Sequence, residues 1–333
     1  MSNSVATAPR PEAPLPAGPR AEVRGHQPVE VFVLLAFLAI LVGGAGLLSP
    51  AFLSVANLRD ILTQAAPLCF VAMGQAFVIM VRGLDLSVGS LMATVAVLAT
   101  AFDASSNAMV PVIFAACLAL AALVGLANGL LVTRRNVSPF LATLAMMIVL
   151  QGLRFAYTKG SPSGALPEGF RVIGTGMVLG VPINALAVIL VGSILGLLLH
   201  ASAEGRRIVS VGGNPRAARL VGISPERATL LAYVISSLMA GLGGLFLVGY
   251  VGTVDNWVGR GFELDSIVAA IIGGVALTGG VGTVAGALLG ALVLVVIFNI
   301  VVILGLPVEF QLIIKGLVIV LAAAVHMRRA GAR

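Results

Sequence analysis

The sequence is divided into long stretches without a charged residue, and this pattern decides which folds are open to the chain. The first is the apolar run Val31–Leu48, and further uncharged stretches follow at 61–81, 86–102, 104–133, 136–153, 172–203 and 228–254. Crossing about 30 Å of hydrocarbon takes a helix of about 20 apolar residues. With only 10% charged residues, against about 25% in soluble chains, the sequence predicts an all-α polytopic membrane protein.

The next uncharged stretch, 266–308, is too long for one crossing. It contains Gly279-Gly280-Val281-Gly282-Thr283, which is typical of a turn between two spans. A last span at about 309–327 is interrupted only by Lys315, so we predict about ten transmembrane helices. Gly282, Gly286 and Gly290 share one face of the ninth span, where we expect another helix to approach closely.

Basic residues are distributed unequally between the two sides that these spans separate. Counted from a cytoplasmic N-terminus, fourteen arginines fall on the cytoplasmic side and four basic residues fall outside. The four are Arg59, Lys159, Arg171 and Arg260. Because cytoplasmic loops carry the excess of Lys and Arg, we predict that both termini are cytoplasmic. The net charge of +7 therefore indicates topology in a lipid bilayer and not nucleic-acid binding.

The two ends of the chain differ in composition from its apolar body. Residues 1–28 hold six of the sixteen prolines, and such a segment cannot bury enough apolar surface to become ordered. We predict a disordered cytoplasmic tail at 1–28, a transmembrane domain at 29–327 and a basic cytoplasmic tail at 328–333. The run Val31–Leu48 follows a long tail and lacks a small-residue cleavage site, so it is interpreted as a retained anchor.

Catalytic and metal-binding patterns are not found in the sequence. The three histidines lie outside the spans or at their ends, and the two cysteines lie inside apolar runs, which indicates packing. A phosphate-binding loop needs Lys followed by Ser or Thr, but Lys159 and Lys315 are each followed by Gly. We predict no catalytic residue, no metal site, no cofactor and no ATP site in this chain, which is therefore not expected to be an enzyme.

The longest charged stretch between spans is the predicted cytoplasmic loop 201–227. A short helix with both ends marked lies within it: Asn214 is a good N-cap, Pro215 suits the first helical position, and Gly222 can adopt the left-handed stop. Ser224 and Pro225 mark a second helix start directly afterwards. Such a loop is either a solvated connector or a rigid knob that contacts a cytoplasmic motor protein.

Four segments resemble one family of membrane proteins. They are "GGNPRAARLVGIS" from Gly212, "GLDLSVGS" from Gly83, "GLANGLLVTRRNVSPFLATL" from Gly125 and "GFELDSIVAAIIGGVALTGGVGTVAG" from Gly261. Together they look like the ABC import permeases of the branch that carries ribose, xylose, other monosaccharides and autoinducer-2, over roughly residues 55–325. Arg216 departs from the general ABC importer pattern, which has Glu before the two alanines. Because this departure is not unusual in the sugar-permease branch, it weakens a generic coupling-loop assignment more than the sugar-permease one.

This resemblance implies a permease subunit in the bacterial inner membrane that imports a monosaccharide or a related small polar solute. The implied partners are a cytoplasmic ATP-binding subunit, a periplasmic substrate-binding protein, and a second permease copy or a sister permease. Residues 29–327 would then be the permease domain. The implied ATPase-coupling residues are Asn214, Pro215, Arg216, Ala217, Ala218, Arg219 and Gly222.

Polar residues inside the spans are candidates for the translocation path, because hydrocarbon would otherwise penalise them. They are Gln75, Asn128, Thr143, Asp265, Asn299, Gln311 and Lys315. Lys315 either snorkels to the outer interface or faces the path and pairs with Asp265. Asp85 stands three residues after Arg82, and we expect an Arg82–Asp85 pair that braces the start of the third span.

Two other functions remain open from the residues alone. An ion-gradient-driven secondary transporter would favour acidic residues deep in the membrane, whereas here the carboxylates lie near span ends. A membrane-embedded enzyme would need a nucleophile, an acid–base pair or a metal cluster, and none stands out.

Overall fold

The computed structural model describes residues 27–161, 164–307, 309–314 and 316–317, which form an almost entirely helical protein. The helices are α1 (Gln27–Leu48), α2 (Val55–Met80), α3 (Val88–Ala99), α4 (Met109–Arg134), α5 (Pro139–Thr158), α6 (Glu168–Thr175), α7 (Ile183–Ala201), α8 (Ala203–Gly213), α9 (Pro215–Leu220), α10 (Pro225–Val251), α11 (Phe262–Ile272) and α12 (Val284–Ile303). A hairpin of β1 (Met177–Val178) and β2 (Val181–Pro182) separates α6 from α7. The predicted all-α class is confirmed.

Seven helices in the described part of the chain are long and apolar enough to cross a membrane, namely α1, α2, α4, α5, α7, α10 and α12. The predicted third and eighth spans are α3 and α11, which have only 12 and 11 residues. At about 1.5 Å per residue such helices reach only part of the way across the hydrocarbon. The predicted tenth span is described at 309–314 and 316–317, where it is helical. The multi-pass fold is thus as expected, although two of its apolar segments are short helices.

The long helix α2 lies at the centre of the protein. The most apolar 18-residue part of α2 is 89% buried, whereas the corresponding part of α1 is 11% buried. Helix α2 packs against α10, α12, α11 and α7, and α10 also packs against α4 and α3. Because α2 is surrounded by protein and not by lipid, it can carry polar side chains if neighbouring helices supply hydrogen-bond partners.

Glycines bring α11 and α12 into backbone contact, as the predicted small-residue face requires. A Cβ atom added to Gly286 would overlap the carbonyl oxygen of Gly273, and one added to Gly290 would overlap that of Ala269. The predicted turn before α12 is also present, since Gly279 and Gly280 have φ values of 83° and 76°. Both glycine predictions are confirmed.

The predicted tails and one predicted site residue lie outside the described residues. This applies to residues 1–26, to the tail at 328–333 and to Lys315. The division of the chain into tails and a central domain stays a prediction. The predicted pairing of Lys315 with Asp265 on the translocation path likewise stays a prediction.

Candidate coupling surface and buried polar cluster

The predicted coupling helix is α9, and its local geometry follows the sequence signals. The Oδ1 atom of Asn214 accepts hydrogen bonds from the backbone N–H groups of Arg216 and Ala217, both at 3.1 Å. Pro215 occupies the first turn. Gly222 has a φ of 81°, and the backbone N–H of Ile223 donates to the carbonyl of Ala218 at 3.0 Å, which closes the helix end. The predicted capped helix is therefore confirmed.

Two further contacts hold α9 against the rest of the protein. Ala218 is buried, and Arg219 forms an ion pair with Glu226 in the first turn of α10. Ser224 caps α10, as predicted, because its Oγ atom accepts a hydrogen bond from the N–H of Arg227 at 3.4 Å. Consequently, α9 has a fixed position relative to the start of α10.

The exposed tip of α9 includes large apolar side chains beside its arginines, which the sequence analysis did not predict. Leu220 is 89% exposed and Val221 is 74% exposed. An open groove of about 340 Å³ lies beside them and is lined by Arg219, Gly222, Ile223, Ser224 and Glu226. We call the exposed residues Arg216, Ala217, Arg219, Leu220 and Val221 the coupling tip. The sequence signal for this surface is the apolar pair Leu220-Val221 within a charged loop. It is a weak signal, because single exposed apolar residues are common.

Three chain segments meet directly behind the coupling helix. The guanidinium of Arg82 donates from Nε to the carbonyl of Gly212 at 2.6 Å and from Nη2 to the carbonyl of Gly213 at 2.5 Å. The N–H of Gly280 donates to the carbonyl of Met80 at 2.8 Å. We call this meeting of the α2 end, the α8 end and the Gly279–Gly282 turn the glycine junction.

The predicted Arg82–Asp85 pair is wrong. Side chains three residues apart face each other on a helix, but Arg82 has a left-handed φ of 65° and residues 83–87 are not helical. Arg82 consequently reaches α8, while Asp85 is fully buried. Within the described ranges, no basic side chain forms an ion pair with Asp85; the ion pairs there are Arg207–Glu204 and Arg219–Glu226.

Asp85 is the centre of a buried polar cluster. Its Oδ1 atom accepts hydrogen bonds from the N–H of Ser87 at 3.0 Å and from the hydroxyl of Ser87 at 2.6 Å. Its Oδ2 atom accepts from the hydroxyl of Ser236 on α10 at 3.0 Å. Gln75 on α2 makes two 3.2 Å hydrogen bonds with the backbone of Asp85 when its amide is oriented to satisfy both groups. These contacts satisfy an irregular backbone segment that is buried in protein, as a membrane interior requires.

Two other predicted path residues also bind this segment. Asn128 on α4 donates from Nδ2 to the hydroxyl of Ser87 at 3.0 Å. The hydroxyl of Thr143 on α5 lies between two carbonyl acceptors, that of Leu84 at 3.2 Å and that of Pro139 in its own helix at 2.9 Å. Tyr233 on α10 donates to the carbonyl of Leu84 at 3.4 Å. The structure therefore brings Gln75, Asn128 and Thr143 together around residues 84–87, each in a structural hydrogen bond.

The remaining candidate path residues lie elsewhere. Asn299 on α12 exchanges two side-chain hydrogen bonds with Asn57 on α2, at 3.0 and 3.1 Å, so it joins these two helices. Asp265 is buried in the first turn of α11. Gln311 is half-buried in the helical residues 309–314. Among the residues that the structure describes, no group of three His, Cys, Asp or Glu side chains could hold a metal ion.

Comparison with known proteins identifies the family of this chain. Residues 57–323 match the family model described as the permease component of the branched-chain amino acid transport system. The chain belongs to this permease family. The chain is 36% identical to the ribose import permease protein of Bacillus subtilis over 88% of this chain and 91% of the relative. It is 38% identical to the ribose import permease protein of Escherichia coli over 88% and 92%.

A third relative is named for a different sugar. The galactose/methyl galactoside import permease protein of Haemophilus influenzae is 32% identical over 88% of this chain and 92% of the relative. No solved structure matches the chain.

Membership in the permease family gives the described features their context. The chain is a multi-pass inner-membrane protein and a transport component, not an enzyme. The family match begins at residue 57, which is within α2, so the peripheral helix α1 lies outside it. Helix α9, the glycine junction and the buried polar cluster all lie inside the matched region. They are therefore parts of the transport component itself.

Proposed function

We propose that this chain is the transmembrane permease subunit of an ABC importer that moves a monosaccharide or a related small polar solute into the cytoplasm. The family match and relatives that are named for ribose and galactose import support this proposal. The proposed partners are a separate ATP-binding subunit, a periplasmic substrate-binding protein, and a second copy of this chain or a sister permease.

The coupling helix is the structural observation that carries the proposal. A helix of six residues is too short to be stable alone in water, yet α9 is capped at both ends and tied to α10 by the Arg219–Glu226 ion pair. Its exposed side combines basic residues with apolar Leu220 and Val221. An acidic groove with an apolar floor on the ATPase would complement this surface. We propose that Asn214, Pro215, Arg216, Ala217, Ala218, Arg219 and Gly222 form the ATPase-coupling element.

For the solute path we propose a set of residues, without an individual role for each. Among the residues that the structure describes, the buried Oδ1 atom of Asn128 and the buried hydroxyl of Ser237 have no hydrogen-bond partner. Such atoms could accept or donate hydrogen bonds to solute hydroxyls in a conformation that opens the cluster. Gln75, Asn128, Thr143, Asp265, Asn299, Gln311 and Lys315 stay our proposed path residues, although Asn299 is already used in an interhelical pair.

Reconstitution tests the proposed function. The permease is placed in proteoliposomes with a candidate ATPase and a candidate binding protein from the same organism, and uptake of radiolabelled ribose, galactose and xylose is measured. We expect uptake only when ATP is supplied on the ATPase side and the binding protein on the opposite side. Uptake that follows a proton or sodium gradient without ATP would instead support a secondary transporter, which the family match does not favour.

Crosslinking tests where the ATPase docks. With native Cys69 and Cys117 buried, a single introduced cysteine can be labelled selectively. We expect Arg216→Cys to form a crosslink with the ATPase, because Arg216 is exposed on the coupling tip. Arg171→Cys, on the predicted outer side, is the matched control and should not react with the ATPase. A crosslink from Arg171→Cys and none from Arg216→Cys would reverse the proposed orientation.

A further inference from the structure

The end of α2 has an unusual residue at the position where helices commonly stop. The N–H of Arg82 donates to the carbonyl of Ile79 at 2.8 Å and that of Gly83 to the carbonyl of Val78 at 2.9 Å. This is the hydrogen-bond pattern in which the left-handed residue is usually glycine. Here the left-handed position is occupied by Arg82, with a φ of 65°. A non-glycine residue in this conformation persists only where its surroundings hold it.

The Arg82 side chain supplies those surroundings. It binds the last two carbonyls of α8, Gly212 and Gly213, which have no partner within their own helix. A cation at this helix end also interacts favourably with the helix dipole. The stem of Arg82 passes over Gly279, because a Cβ atom added there would lie 2.5 Å from Arg82 Cγ. Arg82 therefore contacts both other segments of the glycine junction.

The coupling helix continues directly from this contact. Gly213 is followed by Asn214, the cap of α9, so Arg82 binds the coupling element one residue before it begins. On its other side, Arg82 leads into residues 83–87, which bind α2, α4, α5 and α10 through the buried polar cluster. A displacement of α9 is thus placed to act on four spanning helices through one side chain.

Building on the proposed function, we propose that Arg82 is a positioning residue that transmits movement of the coupling helix α9 to α2 and to the buried polar cluster. This role requires no contact of Arg82 with the solute or the ATPase. Its two hydrogen bonds make α8 and the end of α2 move together, so that ATP-driven movement at the coupling tip reaches the membrane-spanning helices.

Arg82→Gly separates this role from a merely structural one. Glycine adopts a positive φ without strain, so the α2 end should keep its conformation while the link to α8 is lost. In proteoliposomes that contain the complete transporter, we expect solute imported per ATP hydrolysed to fall about two- to thirtyfold, which matches the usual range of coupling changes. We expect the thermal midpoint of the purified permease to stay near that of the wild type.

Two further variants complete the experiment. Arg82→Lys can bind one carbonyl and should restore part of the ratio of uptake to hydrolysis. Arg206→Met is the matched control, because exposed Arg206 also binds a helix-end carbonyl, that of Ala201 at 3.2 Å, but does not link α8 to α2. It should transport like the wild type.

Several outcomes would overturn the inference. A wild-type ratio in Arg82→Gly would do so, as would an equal loss in Arg206→Met or a loss in Arg82→Gly that follows a lowered thermal midpoint. Failure of ATP-dependent uptake in the wild-type assay would instead contradict the proposed function, so the two results can be distinguished.

Discussion

We expect Asp85→Ala to destabilise the protein strongly. The change leaves two hydroxyls and one N–H without their buried acceptor. Each unsatisfied buried group costs about 1–3 kcal/mol, so the free energy of unfolding should fall by about 3 kcal/mol or more. The measurements are the thermal midpoint in detergent and the amount of permease found in the membrane.

The chain contains a close control for this prediction. Asp103 accepts hydrogen bonds from the N–H and the hydroxyl of Ser105, both at 2.9 Å, in the same two-residue arrangement as Asp85 and Ser87. Asp103 is exposed, so water can replace its contacts in Asp103→Ala. Asp85→Asn, which keeps an acceptor oxygen, should lie between the two alanine variants. Equal midpoints for Asp85→Ala and Asp103→Ala would show that burial of the cluster does not stabilise the fold.

Replacing Gly222 with valine should separate ATP hydrolysis from solute uptake. A Cβ atom at this position would meet no atom of the described residues within 4 Å, so we expect the effect to come from the left-handed backbone, with a φ of 81°. A β-branched residue held there costs about 1–3 kcal/mol, and the end of α9 should relax and move Leu220 and Val221. We expect uptake per ATP hydrolysed to fall about 5- to 150-fold.

Gly222→Asn is the matched variant, because asparagine tolerates the left-handed conformation far better than valine. It should transport nearly as well as the wild type when both variants are present in equal amounts. If valine and asparagine had the same effect, backbone conformation at Gly222 would not matter for coupling. In that case a contact of the glycine surface with the ATPase would be the better explanation.

Local signals explain which parts of the fold could be predicted from the sequence. The caps of α9 and α10 involve residues two or three positions apart, so Asn214, Pro215 and Ser224 are sufficient to predict them. The Gly279–Gly282 turn is similarly local. Hydropathy correctly indicated a multi-pass helical protein, but an uninterrupted apolar run does not show where a helix ends. The short helices α3 and α11 were for this reason predicted as full spans.

The contacts of the candidate site are long-range, and this is why the sequence predicted them poorly. Arg82 and Gly212 are 130 residues apart, and Asp85 and Ser236 are 151 residues apart. The nearest opposite charge in the sequence suggested an Arg82–Asp85 pair, but a single left-handed residue directs the two side chains to different places. Selecting polar residues within spans did find Gln75, Asn128 and Thr143, because hydrocarbon penalises any polar group that lacks a partner.

The buried polar cluster cannot be completed until α10 has been synthesised. Ser236 is made 151 residues after Asp85, which at about 5–20 residues per second takes about 8–30 s. Throughout this interval the Asp85 carboxylate lacks its partner from α10, and a charge is costly in hydrocarbon. Until α10 arrives, we therefore expect this carboxyl group to be either hydrated or protonated. The hydrogen bond that joins Asp85 to α10 can form only after at least 236 of the 333 residues have been synthesised.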